Sequence, residues 1–102
     1  MEAFVEARLA GVWDLCRVHC VKRLDVFGSA STGAFDPHRS DVDLLVEFDD
    51  WRAASSFDRY FDFKDAMEGL FGRPVDLVLV GAIGNPFLRL SIQRTRQLLY
   101  AA

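Results

Sequence analysis

Residues 25–49, DVFGSASTGAFDPHRSDVDLLVEFD, decide how the rest of the chain is read. Val26-Phe27 is a short apolar run that ends at Gly28-Ser29, and Leu44-Leu45-Val46 is a second apolar run. The pattern is strand, glycine turn, loop, strand, with Pro37 punctuating the loop Phe35 to Ser40. Asp41 and Asp43 stand at the mouth of the second run, two residues apart. Residues i and i+2 of a strand share a face, so these carboxylates stand side by side, next to a turn of glycine and small hydroxyls. Acidic residues are poor strand formers, and like charges on one face repel. A divalent cation is the natural compensation, and Mg²⁺ is commonly held by one or two carboxylates together with substrate phosphates. The stretch reads as the seed of a phosphoryl- or nucleotidyl-transfer site.

The elements around it follow from periodicity. Residues 2 to about 20 read as a helix, with Val5, Leu9, Val12, Cys16 and Cys20 at three- and four-residue steps. Strands are expected over 23–28 and 42–48, the second nearly continuous in apolar residues, as a strand covered on both faces would be. Ser29 to Gly33 forms a turn or short helix. Residues 49–56 are an acidic-then-small connection. A helix follows from about Ser56 to Leu70, with Phe57, Tyr60, Phe63 or Phe61, Met67, Leu70 and Phe71 as its apolar stripe and Gly72 as its stop. A third strand, 75–80, opens after Pro74. Asn85 caps a last helix that begins at Pro86 and runs to about Tyr100, with Leu88, Ile92, Thr95 and Leu99 inward. The expected fold is therefore α/β (α+β), in the order α-β-β-α-β-α, a small mixed sheet packed on helices. These elements occupy residues 1–102 as one domain.

Size and charge narrow the function. A chain of 102 residues, 51% hydrophobic, builds one core and little more. A net charge of −3 carries no footprint of direct nucleic-acid binding. No segment approaches the roughly 18 consecutive apolar residues of a membrane helix, and the N-terminus lacks the pattern of a secretory signal. Cys16 and Cys20 lie four apart in a helical pattern, which fits a reducing, cytoplasmic setting better than a disulfide framework. Cys16, His19 and Cys20 have no second ligand pair for zinc and read as core and surface. The aromatic stripe of 57–71 has helical spacing and reads as core rather than as a base-stacking surface. Arg89, Arg94 and Arg96 form a basic face of the last helix.

The third strand carries the decisive addition. In Val75-Asp76-Leu77-Val78-Leu79-Val80 every residue but one is apolar, and an isolated charge on a buried strand is costly unless it is paired or bound to metal. Nucleotide transfer is attack on an α-phosphate with pyrophosphate leaving, and catalysis is mostly positioning and charge neutralisation. Asp41, Asp43 and Asp76 on adjacent strands could hold two metal ions that clamp the attacking and leaving oxygens. Gly28 lets the backbone approach phosphates closely, and the Ser29 hydroxyl with the following amides could hold them.

The combination FGSASTGAFDPHRSDVDLLVEF, with PVDLVLV as the third-carboxylate strand and NPFLRLSIQRTRQLLY as the closing segment, resembles the minimal nucleotidyltransferases (MNT domains) of the DNA polymerase β superfamily. The resemblance covers nearly the whole chain. It implies a polymerase β-like nucleotidyltransferase fold. It also implies Gly28 and Ser29 as phosphate contacts, with Ser40 from the Ser-Asp-x-Asp segment beside them. Asp41, Asp43 and Asp76 become the ligands of Mg²⁺, two ions being expected, with Asp76 also the catalytic carboxylate and ATP the substrate. Many members pair with a HEPN-domain ribonuclease toxin and transfer AMP from ATP to a tyrosine of it. The implied partner is thus a HEPN toxin in a hetero-oligomer. Relatives often carry arginine after Gly-Ser, where this chain has Ala30 and Thr32, so charge on the triphosphate is lost unless Ser31, Thr32 or Arg39 compensates. Two functional classes follow: a metal-dependent adenylyltransferase that modifies a toxin, and an antitoxin that masks its toxin by contact. A chain of this length leaves no residues for an acceptor-holding domain, which fits an acceptor on another polypeptide.

Overall fold

The computed structural model describes residues 2–49 and 56–102. The expected connection over 49–56 lies, apart from its two ends, outside the described residues.

The first helical pattern is broken into α1 (Ala3–Glu6) and α2 (Leu9–Val18). At the break, Arg8 folds back over the Phe4 ring and donates to the Phe4 carbonyl at 2.9 Å. Val5, Val12 and Cys16 are buried as their spacing predicts. The helix ends before Cys20, which adopts a left-handed φ of 58°. That turn releases Val21 to begin a strand two residues earlier than the sequence suggests, and the Cys20 carbonyl accepts the Asp49 amide at 3.0 Å.

Strand β1 (Val21–Phe27) is followed by the short α3 (Ser29–Thr32), then β2 (Val42–Phe48), α4 (Ser56–Phe71) and β3 (Val75–Leu79). A 3₁₀ turn over Val80–Ala82 leads to α5 (Pro86–Thr95). Asn85 caps α5 as expected, its side chain accepting the Phe87 and Leu88 amides at 2.9 and 3.4 Å. The last helix stops at Thr95, however, and Gln97–Ala101 forms a strand, β4. Leu99 keeps helical phase with Leu88 and Ile92, which is why the helix reads through in sequence. Strand β4 instead pairs with the free edge of β1, where Leu99 falls at an irregularity of the register and is buried in the main core, and Trp13 donates Nε1–H to the Leu99 carbonyl at 2.7 Å.

The sheet is mixed and four-stranded, in the order β3-β2-β1-β4. Strand β1 is antiparallel to both β2 and β4, and β2 is parallel to β3. Alternation along the strands gives it two faces. On one, Leu24, Val26, Leu44, Val46 and Leu77 meet α2 and α4 in the main core, where Phe63 and Met67 are fully buried. Phe63, not Phe61, is the inward aromatic of α4. Phe57, expected on the inner stripe, is 73% exposed in the first turn of α4. On the second face Phe27 and Leu45 pack against Ile92 of α5, so helices cover part of both faces. Phe87, expected beside the inner stripe, is 82% exposed.

Candidate active site

The turn after β1 requires glycine twice. Gly28 has φ 68° and Gly33 has φ 90°, both in the region that side chains rarely adopt. At Gly28 a second constraint applies. A Cβ there would lie 2.4 Å from Asp43 Oδ2, so the carboxylate rests against a backbone that only glycine leaves open.

That contact follows from register. Phe27 of β1 pairs with Asp43 of β2, and Asp43 pairs in parallel with Asp76 of β3. Neighbouring strands are about 5 Å apart, so Asp43 and Asp76 project side by side from one face. Asp41 precedes β2 by one residue and is exposed, as is Asp76, whereas Asp43 is half-buried. Burial, then the negative charge of Asp76, then that of Asp41, push the Asp43 carboxyl up from its ordinary 3.8 to about 6. The three acids predicted from sequence therefore feel one another at one end of the sheet. Among the described residues none of them forms a salt bridge with Lys or Arg.

The donor set fits a hard cation: carboxylate oxygens suit Mg²⁺, and the open space over Gly28 leaves the Asp43 carboxylate its place. In the present side-chain arrangement, no three His, Cys, Asp or Glu residues among those described converge into a finished metal cluster. Asp41 and Asp76 are both exposed.

Of the other predicted contacts, Ser40 has partners of its own. Ser29 begins α3 beside Gly28. Ser40 is occupied in shaping its loop: its hydroxyl accepts the Asp36 amide at 2.9 Å, and its carbonyl accepts Arg73 Nε at 3.1 Å. Ser31 does not face the turn's mouth, since its hydroxyl donates to the Thr95 carbonyl. Ala30 is completely buried in the main core, so this position has no room for a long cationic side chain.

Sequence reasoning missed three residues here. Arg73, between Gly72 and Pro74, ties the approach to β3 to the approach to β2. Thr95, read only as a stripe residue, accepts the Gly28 amide on its hydroxyl at 2.8 Å. Asp25 is 1% exposed on β1 and is clasped by Arg23 and Arg96. Arg96 was expected on an outer basic face, but the end of α5 at Thr95 turns it onto Asp25.

Comparison with known proteins gives a consistent picture. Residues 13–99 match the family model described as nucleotidyltransferase domain. A Methanocaldococcus jannaschii protein provisionally named a protein adenylyltransferase is 37% identical over 73 residues, which is 72% of this chain and 70% of the relative. A solved structure of a provisionally named minimal nucleotidyltransferase matches with a TM-score of 0.73 at 34% identity, over 91% of this chain and 90% of that one. A chain from the structure of a tri-AMPylated Shewanella oneidensis HEPN toxin in complex with MNT antitoxin matches with a TM-score of 0.66 over 95% of this chain and 72% of that one. At 16% identity this last likeness concerns the fold alone. No helix among the described residues is long and apolar enough to cross a membrane.

Proposed function

The chain belongs to the nucleotidyltransferase domain family, and within it we propose a Mg²⁺-dependent protein adenylyltransferase that acts as an antitoxin, moving AMP from ATP to a tyrosine of a HEPN toxin. The observation that carries this reading is the registered pair Asp43 and Asp76 beside Gly28, with Asp41 at the strand's mouth. A surface used only for docking gains nothing from three mutually repelling acids.

Asp41, Asp43 and Asp76 would hold the metal. When bound, Mg²⁺ would neutralise charge on the triphosphate and on the oxygens entering and leaving phosphorus. The tyrosine oxygen attacks the α-phosphorus, the bond from that phosphorus to the bridging oxygen of the β-phosphate breaks, and pyrophosphate leaves. The phenolic proton passes to Asp76, which is exposed at the outer strand where an acceptor can approach. Gly28 keeps the floor low enough for phosphates to approach Asp43, and Ser29 offers a hydroxyl at the rim. The Gly28 amide itself is already donated to Thr95, so the phosphate contacts fall to Ser29 and the residues after it.

Specific observations favour a second reading, an antitoxin that masks its toxin by contact alone. The segment Gly28–Gly33 carries no cationic side chain, Ser31 is committed to Thr95, and the acids are not gathered as a finished ligand set.

One experiment separates the two. The protein is incubated with labelled ATP, Mg²⁺ and the product of the neighbouring gene, and that product is weighed by mass spectrometry. Gain of one or more AMP units, abolished by Asp43→Asn, is the expected result. A partner that is neutralised with no change in mass overturns the enzymatic reading.

A further inference from the structure

We propose that Thr95, the last residue of α5, is a positioning residue for nucleotide binding: its hydroxyl pins the Gly28 turn against which Asp43 rests. The inference rests on the nucleotidyl-transfer reading of that site.

The geometry runs through one atom. Thr95 Oγ1 donates to the Ser91 carbonyl at 2.7 Å, which fixes where its proton goes. Its lone pair is then free to accept the Gly28 amide at 2.8 Å, across 67 residues of sequence. Gly28 has φ 68° and ψ −145°, a conformation that needs an anchor, because glycine has many others available. Asp43 Oδ2 lies against the same glycine, at 2.4 Å from where a Cβ would stand. Thr95 also holds the far side of the turn, its carbonyl accepting the Ser31 hydroxyl. Gly28, at the N-terminal boundary of α3, and Ser31, within it, are thus held by one residue whose hydrogen bonds go to Gly28, Ser31 and Ser91.

The consequence is specific to the hydroxyl. Valine at this position has nearly the same shape and keeps the backbone carbonyl for Ser31, but it cannot accept the Gly28 amide. Serine keeps the acceptor and loses only a methyl group. A hydrogen bond of this kind contributes a factor of roughly five to ten to an equilibrium, and here that factor falls on the conformation of the turn.

The test is the affinity of the full chain for Mg²⁺ with AMP-PNP by calorimetry, in wild type, Thr95→Val and Thr95→Ser, alongside thermal stability and amide exchange at Gly28. Thr95→Val is expected to bind about five- to tenfold more weakly, with a Gly28 amide that exchanges freely. Thr95→Ser is expected to bind within about twofold of wild type and keep the amide protected. If wild type binds and Thr95→Val binds equally well, the positioning role is overturned while the nucleotidyl-transfer reading stands. If wild type itself does not bind, that reading falls and the inference with it. Should Thr95→Val fail to fold, Gly28 exchange in wild type decides: an unprotected amide refutes the pin.

Discussion

Replacing Asp43 by Asn removes a charge that the folded chain holds at a cost. Asp43 is half-buried and faces Asp76 across the β2–β3 register with Asp41 nearby, and its carboxyl is raised from 3.8 to about 6. At about 1.4 kcal/mol per pH unit this rise corresponds to roughly 3 kcal/mol against the ionised form at neutral pH. Because half of the group is open to water, screening reduces that figure to about 1 kcal/mol. For a domain of this size, 1 kcal/mol moves Tm by roughly 4–8 °C. Asp43→Asn is therefore expected to melt higher than wild type by about that amount at pH 7.5 in the presence of a chelator. The pH dependence has a definite sign. A carboxyl whose folded-state value is raised binds its proton more tightly when folded, so wild-type stability falls as pH rises from about 4 to about 6. The difference between variant and wild type should be small at pH 4 and should reach its full size above pH 6.5. Added Mg²⁺ should then raise the melting temperature of wild type and leave the variant nearly unchanged. A variant that melts at or below wild type at pH 7.5, or a difference that does not depend on pH, refutes the electrostatic reasoning.

Other outcomes follow from packing and burial. Gly28→Ala places a methyl group 2.4 Å from Asp43 Oδ2 at a φ of 68°, so binding of Mg²⁺ with ATP should be lost by calorimetry and Tm should fall. Phe63→Ala and Leu45→Ala should each cost about 2–5 kcal/mol in denaturant unfolding, since their residues are 0% and 3% exposed; unchanged midpoints would mean these side chains are not in the core. Burial pushes the Cys16 thiol up to about 12. A thiol-alkylating reagent at pH 8 should therefore leave Cys16 unmodified in the native protein, as judged by peptide mass mapping, and modify it after denaturation.

What could be read from sequence depended on whether the relevant force is local. Asp43 stood out because an acid beside an apolar run is expensive where the run is buried, and the register sets it against Asp76; Asp41 and Asp76 themselves are exposed and carry no such burial cost. Asp25 shows the limit of the same logic. It too interrupts an apolar run, yet it is neutralised by Arg23 and Arg96, and the second partner is 71 residues away. Strand β4 was hidden because Leu88, Ile92 and Leu99 keep one helical phase, while the reason to leave the helix, an unpaired edge on β1, exists only after the sheet has formed. Thr95 was hidden for a related reason. A threonine on a helix stripe is unremarkable until the chain brings Gly28 to it. The left-handed turn at Cys20 goes with a long-range contact, its carbonyl accepting the Asp49 amide, that no local propensity encodes, whereas the contact of Arg8 with Phe4 at the helix break spans only four residues.

If cations and a nucleotide bind among these acids, a paramagnetic ion placed there must relax the nearest amides. Mn²⁺ with AMP-PNP is titrated into ¹⁵N-labelled protein and the amide spectrum is followed. Signals from Gly28, Ser29, Val42, Asp43 and Asp76 are expected to broaden first, and Asp43→Asn to abolish the effect. Broadening centred on the exposed acids of α4, Asp58, Asp62 and Asp65, with the Gly28 and Asp43 signals left sharp, would contradict it.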